Sequence, residues 1–289
     1  MTEKFRKRLG IKLYGIDVPS MYPNFERIPK TIPKPILGAA WKNANQEKSG
    51  VGKPDEAFEK TARQTYKDVR SKVLENIEQS AWTEPTPIQM QTIPSMLAGR
   101  DVLGVAPTGS GKTAAFMIPL ILYCWSCHNQ KSKKHSAKNR KIRALVLVPT
   151  RELADQIQQE GKRLSAGTGV YISLLTKSVN SSTHREQLPV TDILVCTPKR
   201  LQDTLEASPG QLKHLRHVVM DECDRMLEFG LVEQVDTILS HCSDVGKQNT
   251  SASNIQRCMF SATLPENLED VSLSFLRDPV RIIIGKRVS

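Results

Sequence analysis

Ala106-Pro-Thr-Gly-Ser-Gly-Lys-Thr113 lies directly after the apolar run Val102–Val105 and directly before the helical run Ala114–Leu122. A chain that leaves a strand, turns through two glycines and enters a helix gathers unpaired backbone N–H groups at the positive end of the helix dipole. Such a loop closes around a run of phosphates. In this pattern the backbone of Ala106, Pro107, Thr108, Gly109, Ser110 and Gly111 wraps the ligand, Lys112 reaches its terminal phosphates and the Thr113 hydroxyl ligates magnesium. Ala106 stands where the pattern usually has its first glycine, a departure of little consequence if its φ is negative. The implied ligand is a nucleoside triphosphate with Mg2+.

The rest of the 289-residue sequence repeats the strand-to-helix order. Short apolar, β-branched runs at Asp101–Val105, Ala144–Val148, Tyr171–Leu175, Asp192–Cys196, His217–Met220, Cys258–Phe260 and Arg281–Ile284 suit buried parallel strands. Between them Val69, Val73, Leu74 and Ile77 mark one helical face and Leu153, Ile157 and Leu164 another. Thr197-Pro198 reads as an N-cap followed by proline at the first helical position. The expected fold class is therefore α/β, a P-loop NTPase domain over residues 66–286 whose parallel β-sheet is flanked by helices. Pro119, inside the helix after the phosphate loop, should kink it or cost it a hydrogen bond. Residues 1–65 precede the domain. Six prolines and little periodicity in the first 60 predict an extended N-terminal arm with local order only.

The formal charge of +11 comes from 41 Lys and Arg against 30 Asp and Glu, and it is unevenly placed. Residues 1–60 carry a surplus of five, and the polar loop 128–143 holds seven Lys or Arg without a carboxylate, which leaves the remainder near neutral. The excess thus belongs to an arm and a loop, and composition alone argues only weakly for RNA. With 39% hydrophobic and 25% charged residues, wholesale disorder and collagen-like repetition are excluded. No apolar run approaches the roughly 20 residues of a bilayer span, and no signal-peptide core follows the charged N-terminus. No membrane partner is expected, and six scattered cysteines fit a reducing compartment. Cys124-Trp-Ser-Cys127-His128 fits a c-type haem pattern, but in an unexported chain it reads as a packed helix end, and a zinc knuckle would need two more ligands.

A site for magnesium and phosphate needs an acidic partner at a strand end, and Asp221-Glu-Cys-Asp224 follows His217–Met220. Asp221 would hold magnesium through water, and Glu222 would orient or deprotonate the water that attacks the terminal phosphate. Lys112, Thr113, Asp221 and Glu222 are the catalytic candidates, with Thr113 and Asp221 the metal pair.

Taken together these residues resemble the DEAD-box RNA helicases, over most of residues 80–285. Pro85-Thr-Pro-Ile-Gln89 is similar to the family's adenine-reading Q motif, which assigns Pro85, Thr86 and Gln89 to the base. The Gln89 amide both donates and accepts, as an adenine edge requires; its bland alternative is an exposed helix glutamine. Pro149-Thr-Arg-Glu-Leu153 and Thr197-Pro-Lys-Arg200 resemble two motifs for the RNA backbone, which implies phosphate contacts from Thr150, Arg151, Thr197 and Arg200, with capping the alternative for the threonines. Asp221-Glu-Cys-Asp224 stands where the family has Asp-Glu-Ala-Asp, and the cysteine should point away from both carboxylates. Ser261-Ala-Thr263 resembles the motif that links hydrolysis to unwinding. The family also stacks an upstream aromatic on adenine; Phe25 is favoured over Phe58. Ala81 and Leu175-Thr-Lys177 replace glycines usual in the family, and the second change could weaken one RNA contact.

The resemblance implies a RecA-like domain, ATP and Mg2+ as cofactors, and RNA as partner. Gly10–Pro19 followed by Phe25, Val232–Asp236, and Met259–Pro265 with Asp278–Gly285 look like the Rok-type branch, which implies pre-ribosomal RNA, ribosome-assembly factors as further partners, and nucleus and nucleolus as location, with cytoplasm the alternative. Only four residues follow Gly285, so the family's second RecA-like domain and its arginines are absent from this sequence and expected in cis or in trans. The expected function is ATP hydrolysis coupled to RNA unwinding or remodelling in rRNA processing and small-subunit ribosome biogenesis, with this chain, weakly active alone, as the ATP-binding half. The alternative is a single-domain nucleotide- and RNA-binding module that does not unwind; a DNA helicase ranks third.

Overall fold

The computed structural model describes residues 11–12, 15–16, 72–80, 82, 84–129, 140–175, 190–207, 212–244 and 255–285. Phe25, Phe58 and Val69, and residues 130–139 of the basic loop, lie outside the described residues. In the arm, β1 (Ile11–Lys12) pairs antiparallel with β2 (Gly15–Ile16).

Seven parallel strands form the main sheet: β3 (Val102–Val105), β4 (Ala144–Leu147), β5 (Ile172–Leu174), β6 (Ile193–Cys196), β7 (His217–Met220), β8 (Gln256–Ser261) and β9 (Val280–Ile283), in the order β5-β6-β4-β7-β8-β3-β9. Around it lie α1 (72–79), α2 (Pro87–Leu97), α3 (Lys112–Asn129), α4 (Arg151–Ser165), α5 (Pro198–Ala207), α6 (Cys223–Glu228), α7 (Val232–Asp244) and α8 (Glu266–Phe275). Successive side chains of a strand point to opposite faces, so the five inner strands β6, β4, β7, β8 and β3 each feed two cores. Ala144, Val146, Ile193 and Val195 pack with Ile157 and Leu164 of α4 and with Phe116 and Leu120 of α3. On the other face Leu145, Leu147, Leu194 and Cys196 meet Leu201 and Leu205 of α5 and Ile238 of α7. Gly104 is required by packing, because a Cβ there would lie 2.6 Å from the Phe260 ring on β8.

All seven predicted strands are present, and their altered limits have physical causes. Asp101 and Asp192 immediately precede β3 and β6 and still bond the neighbouring strands through their backbones, while their carboxylates accept further N–H groups: Asp101 from Arg257 at 2.9 Å and Arg277 at 2.8 Å, and Asp192 from Tyr171 at 3.0 Å. β8 begins two residues earlier than expected, since polar Gln256 and Arg257 pair with His217 and Val218 of β7. On α1, Val73 and Ile77 are buried as the spacing predicts. α3 runs through Pro119, and α2 through Pro94, each at the expense of a backbone hydrogen bond. Among the described residues no helix is long and apolar enough to cross a membrane.

Candidate active site

Parallel strands share one edge for all their C-terminal ends, which is where open α/β sheets bind ligands. The phosphate loop follows β3, Thr150 follows β4, Thr197 follows β6, Asp221 follows β7 and Ser261 closes β8. Because β7, β8 and β3 are consecutive in the sheet, the loop, Ser261 and Asp221 lie side by side, and Ala106 N–H donates to the Ser261 carbonyl at 3.1 Å.

Within the loop Gly109 and Gly111 have φ of 77° and 89°, whereas Ala106 has no positive φ, so replacement of the usual first glycine carries no strain. Lys112 is nearly buried, and its ammonium turns back across the loop to donate to the carbonyls of Ala106 at 2.6 Å and Pro107 at 3.2 Å. The hydroxyls of Ser110 and Thr86 are buried with no hydrogen-bond partner, and a Cβ on Gly111 would stand 3.3 Å from the Thr86 oxygen. Buried hydroxyls beside a glycine loop that opens a helix fit an oxygen-rich anionic ligand.

Gln89 is 6% exposed, which corrects the exposed-glutamine alternative. Its Oε1 accepts from Thr86 N–H at 3.0 Å and its Nε2 donates to the Gly111 carbonyl at 3.2 Å. The amide expected to read adenine is thus tied to the phosphate loop as well, with one N–H and one lone pair beyond those bonds.

Asp221 is 3% exposed, and burial pushes its carboxyl up to about 6 against the pull of the nearby Lys112. Its Oδ1 accepts from Glu222 N–H at 3.0 Å. A buried carboxylate and the half-buried Thr113 are hard oxygen donors suited to magnesium, which keeps waters and takes phosphate oxygens. Among the described residues no group of three His, Cys, Asp or Glu stands ready to hold a metal alone. Glu222 has left-handed φ 54° and ψ 50°, a conformation that costs a non-glycine residue energy and is found where geometry must be held for function.

Two residues to which the sequence reading gave no role belong to this site. Arg225 donates to the Glu222 carboxylate at 3.1 Å; its spacing of three on a helix is the signal that was available. Asp224 accepts from both N–H and hydroxyl of Thr263, at 3.1 and 2.8 Å, while its own N–H reaches the Ser261 hydroxyl at 3.4 Å. Burial works against the Asp224 carboxylate, but the bonds from Thr263 and Ser261 outweigh it and hold the group below its ordinary range. Cys223 points away from the carboxylates, as expected, donating to the Met220 carbonyl and lining an apolar pocket with Met226, Met259 and Phe275.

β4 and β6 are neighbours, which sets the starts of α4 and α5 together. Thr150 caps α4, accepting from Leu153 N–H at 3.3 Å, and Arg151 is exposed with Asp155 at 3.8 Å. Thr197 precedes α5, and Arg200 lies half-buried in its first turn. Capping by Thr150 is observed and leaves its hydroxyl proton available to a phosphate. In the haem-like pentapeptide Cys124 is buried in the core and His128 is bonded to Asp192 at 2.7 Å.

A family model described as DEAD/DEAH box helicase matches residues 86–271, from the threonine that precedes α2 into α8. This chain belongs to the DEAD/DEAH box helicase family. It is similar to ATP-dependent RNA helicase ROK1 of Lodderomyces elongisporus, 39% identical over 76% of this chain and 37% of that protein. DEAD-box ATP-dependent RNA helicase 57 of Arabidopsis thaliana is 38% identical over 74% of this chain and 36% of its own length. Among solved structures, a DEAD box protein from the hyperthermophile Methanococcus jannaschii superposes with a TM-score of 0.61 at 30% identity, covering 74% of this chain and 53% of that one. This DEAD-box chain therefore spans little more than a third of the length of the two helicases.

Proposed function

We propose that this chain is the ATP-binding half of an ATP-dependent RNA helicase, acting on pre-ribosomal RNA in small-subunit assembly. The observation that carries the reading is the convergence of the phosphate loop, the Asp221–Glu222 turn and the Asp224–Thr263 bond on one sheet edge. ATP with Mg2+ supplies the phosphoanhydride bond and the charge neutralisation that its cleavage needs. Lys112 and the N–H groups of residues 109–113 would hold the terminal phosphates, and Thr113 and Asp221 would hold the cation. Glu222, in its left-handed turn, orients the attacking water and accepts its proton. Gln89, Thr86, Pro85 and Phe25 select adenine. Thr150, Arg151, Thr197 and Arg200 hold the RNA backbone without reading sequence. Asp224 bonded to Thr263 relays the state of the nucleotide site to the RNA face. The Rok-type resemblance of residues 10–19 and the similarity to the ROK1 helicases support the ribosomal setting and a nucleolar location.

Equilibrium binding of a fluorescent ATP analogue and RNA-stimulated hydrolysis, measured on the chain joined to its second domain, test the assignment. Lys112→Ala should abolish binding, and Glu222→Gln should retain it while stopping turnover. Full turnover in either variant overturns the reading, and binding without any hydrolysis in the wild type favours the module that does not unwind. Co-sedimentation with pre-ribosomes tests the ribosomal part.

A further inference from the structure

The edge of the sheet opposite the phosphate loop carries a cluster that the ATPase reading does not use. Asp192, just ahead of β6, is fully buried. Its Oδ1 meets His128 Nε2 at 2.7 Å, and its Oδ2 accepts from Arg140 Nη1 at 2.7 Å and from Tyr171 N–H at 3.0 Å. Arg143 lies 3.6 Å from the same carboxylate. Burial opposes the charge on Asp192, but bonds from His128 and Tyr171 and the nearby Arg140 hold its carboxyl below the usual range. One carboxylate thus faces two guanidinium groups, and the cluster keeps a positive surplus to which exposed Lys141 adds.

Arg140 is fixed in this way by a second bond to the Gly169 carbonyl at 2.9 Å, and its guanidinium carbon lies 3.8 Å from the centre of the Tyr171 ring. Tyr171 is nonetheless 53% exposed. Val190, one residue ahead of Thr191, is 55% exposed, and the Thr191 hydroxyl donates to the Tyr171 carbonyl at 2.8 Å. One face of the ring is therefore backed by an anchored cation while about half of the residue is open to solvent. An exposed aromatic on a positive surface is what an unpaired base with its phosphates requires, since stacking needs only a π-face and the charges hold the backbone. An acidic peptide would use the cations but has no need of the ring.

We propose that Tyr171, backed by Arg140, which the exposed Lys141 follows in sequence, is a stacking platform for an unpaired base of single-stranded RNA on the edge of the sheet opposite the phosphate loop. The site rests on the RNA-binding reading above and extends it, because the contacts of Thr150, Arg151, Thr197 and Arg200 are to phosphates on the other edge. RNA held at both edges would favour substrates with a single-stranded extension.

Binding of an oligouridylate of roughly 20 nucleotides, long enough for more than one site, and of an abasic strand of equal length tests the platform on the whole chain. Tyr171→Ala should weaken oligouridylate binding about 5- to 150-fold, the usual value of one stacked base, and leave the abasic strand unchanged. Tyr171→Phe should bind like the wild type, and Lys141→Gln should flatten the logarithmic salt dependence by about 0.7. An unchanged urea midpoint shows that the variants are folded. Wild-type binding that Tyr171→Ala leaves intact overturns the platform alone, whereas a wild type that binds no RNA overturns the RNA-binding reading with it. Equal weakening on both strands, or on polyglutamate, assigns the surface to anions in general and overturns the stacking.

Discussion

Gly111 carries two constraints at one Cα. Its φ of 89° suits glycine, and an added Cβ would stand 2.5 Å from Gln89 Nε2. Gly111→Ala should cost about 1–2 kcal/mol through the left-handed backbone alone, and by displacing Gln89 it should also lose nucleotide affinity, measurable as a lower urea midpoint together with a raised dissociation constant for ATP. The bond from Thr263 to Asp224 invites a double-mutant cycle. If it transmits the state of the nucleotide, Asp224→Asn and Thr263→Ala should each lower RNA-stimulated kcat/KM, and together they should deviate from additivity by about 0.5–3 kcal/mol. Additive losses would mean that the two side chains act separately. The motif positions of these residues are visible in the sequence, but the contact between residues 224 and 263 depends on β7 and β8 being neighbours, which no local pattern states.

At the scale of elements, the Asn76 side chain ties α1 to the end of α4, beside the apolar packing of Val73 and Ile77. The Asn76 amide donates to the carbonyls of Leu164 at 2.9 Å and Ala166 at 2.8 Å, two of the acceptors that a helix leaves unpaired at its C-terminus. Asn76→Ala should lower stability by about 1–3 kcal/mol, read as a fall in urea midpoint. The start of α4 separates structure from function in a different way. Thr150→Asp keeps a good N-cap while placing a carboxylate where RNA phosphate is expected, so helix stability should hold and RNA affinity should drop. If RNA affinity is unchanged, Thr150 is a cap and nothing more. The apolar spacing of Ile157 and Leu164 announced α4, whereas α1's attachment to it needed a contact across 88 residues of chain.

For the whole molecule, two buried groups make stability depend on pH in opposite senses. Asp221 titrates near 6 when folded against 3.8 when free, because burial penalises its charge. The folded state therefore binds this proton more tightly, and the resulting stabilisation is lost as pH rises from about 4 to about 6. Asp221→Asn should gain stability over the wild type through that window, reaching about 3 kcal/mol at pH 7, as seen in urea midpoints across pH. His217 behaves in reverse. Burial lowers it from 6.5 to about 4, although its bond with Gln256 pulls upward, and its Nε2 has no partner. Between those values only the unfolded chain takes up the proton, so stability falls as pH drops from 6.5 to about 4. With the Asp221 contribution removed, this acid-side decline should stand out in Asp221→Asn.

The sequence by itself determined the order of strands and helices, the phosphate loop at 106–113 and the acidic turn at 221–224, because local hydrophobic period, glycine placement and capping chemistry are written within a few residues of each site. It also carried the family resemblance, since those motifs occur in a set order. Strand ends were less legible where polar residues join by pairing, as Gln256 does, or sit just ahead of a strand with the carboxylate bonded to neighbouring backbone, as in Asp101 and Asp192. Only the tertiary structure decided that Gln89 is bonded to Gly111, that Asp224 is bonded to Thr263, and that one buried carboxylate anchors Arg140 beneath Tyr171. Those contacts join residues 22 to 52 positions apart, and their existence follows from the order β5-β6-β4-β7-β8-β3-β9, a property of how the strands assemble that no single segment encodes.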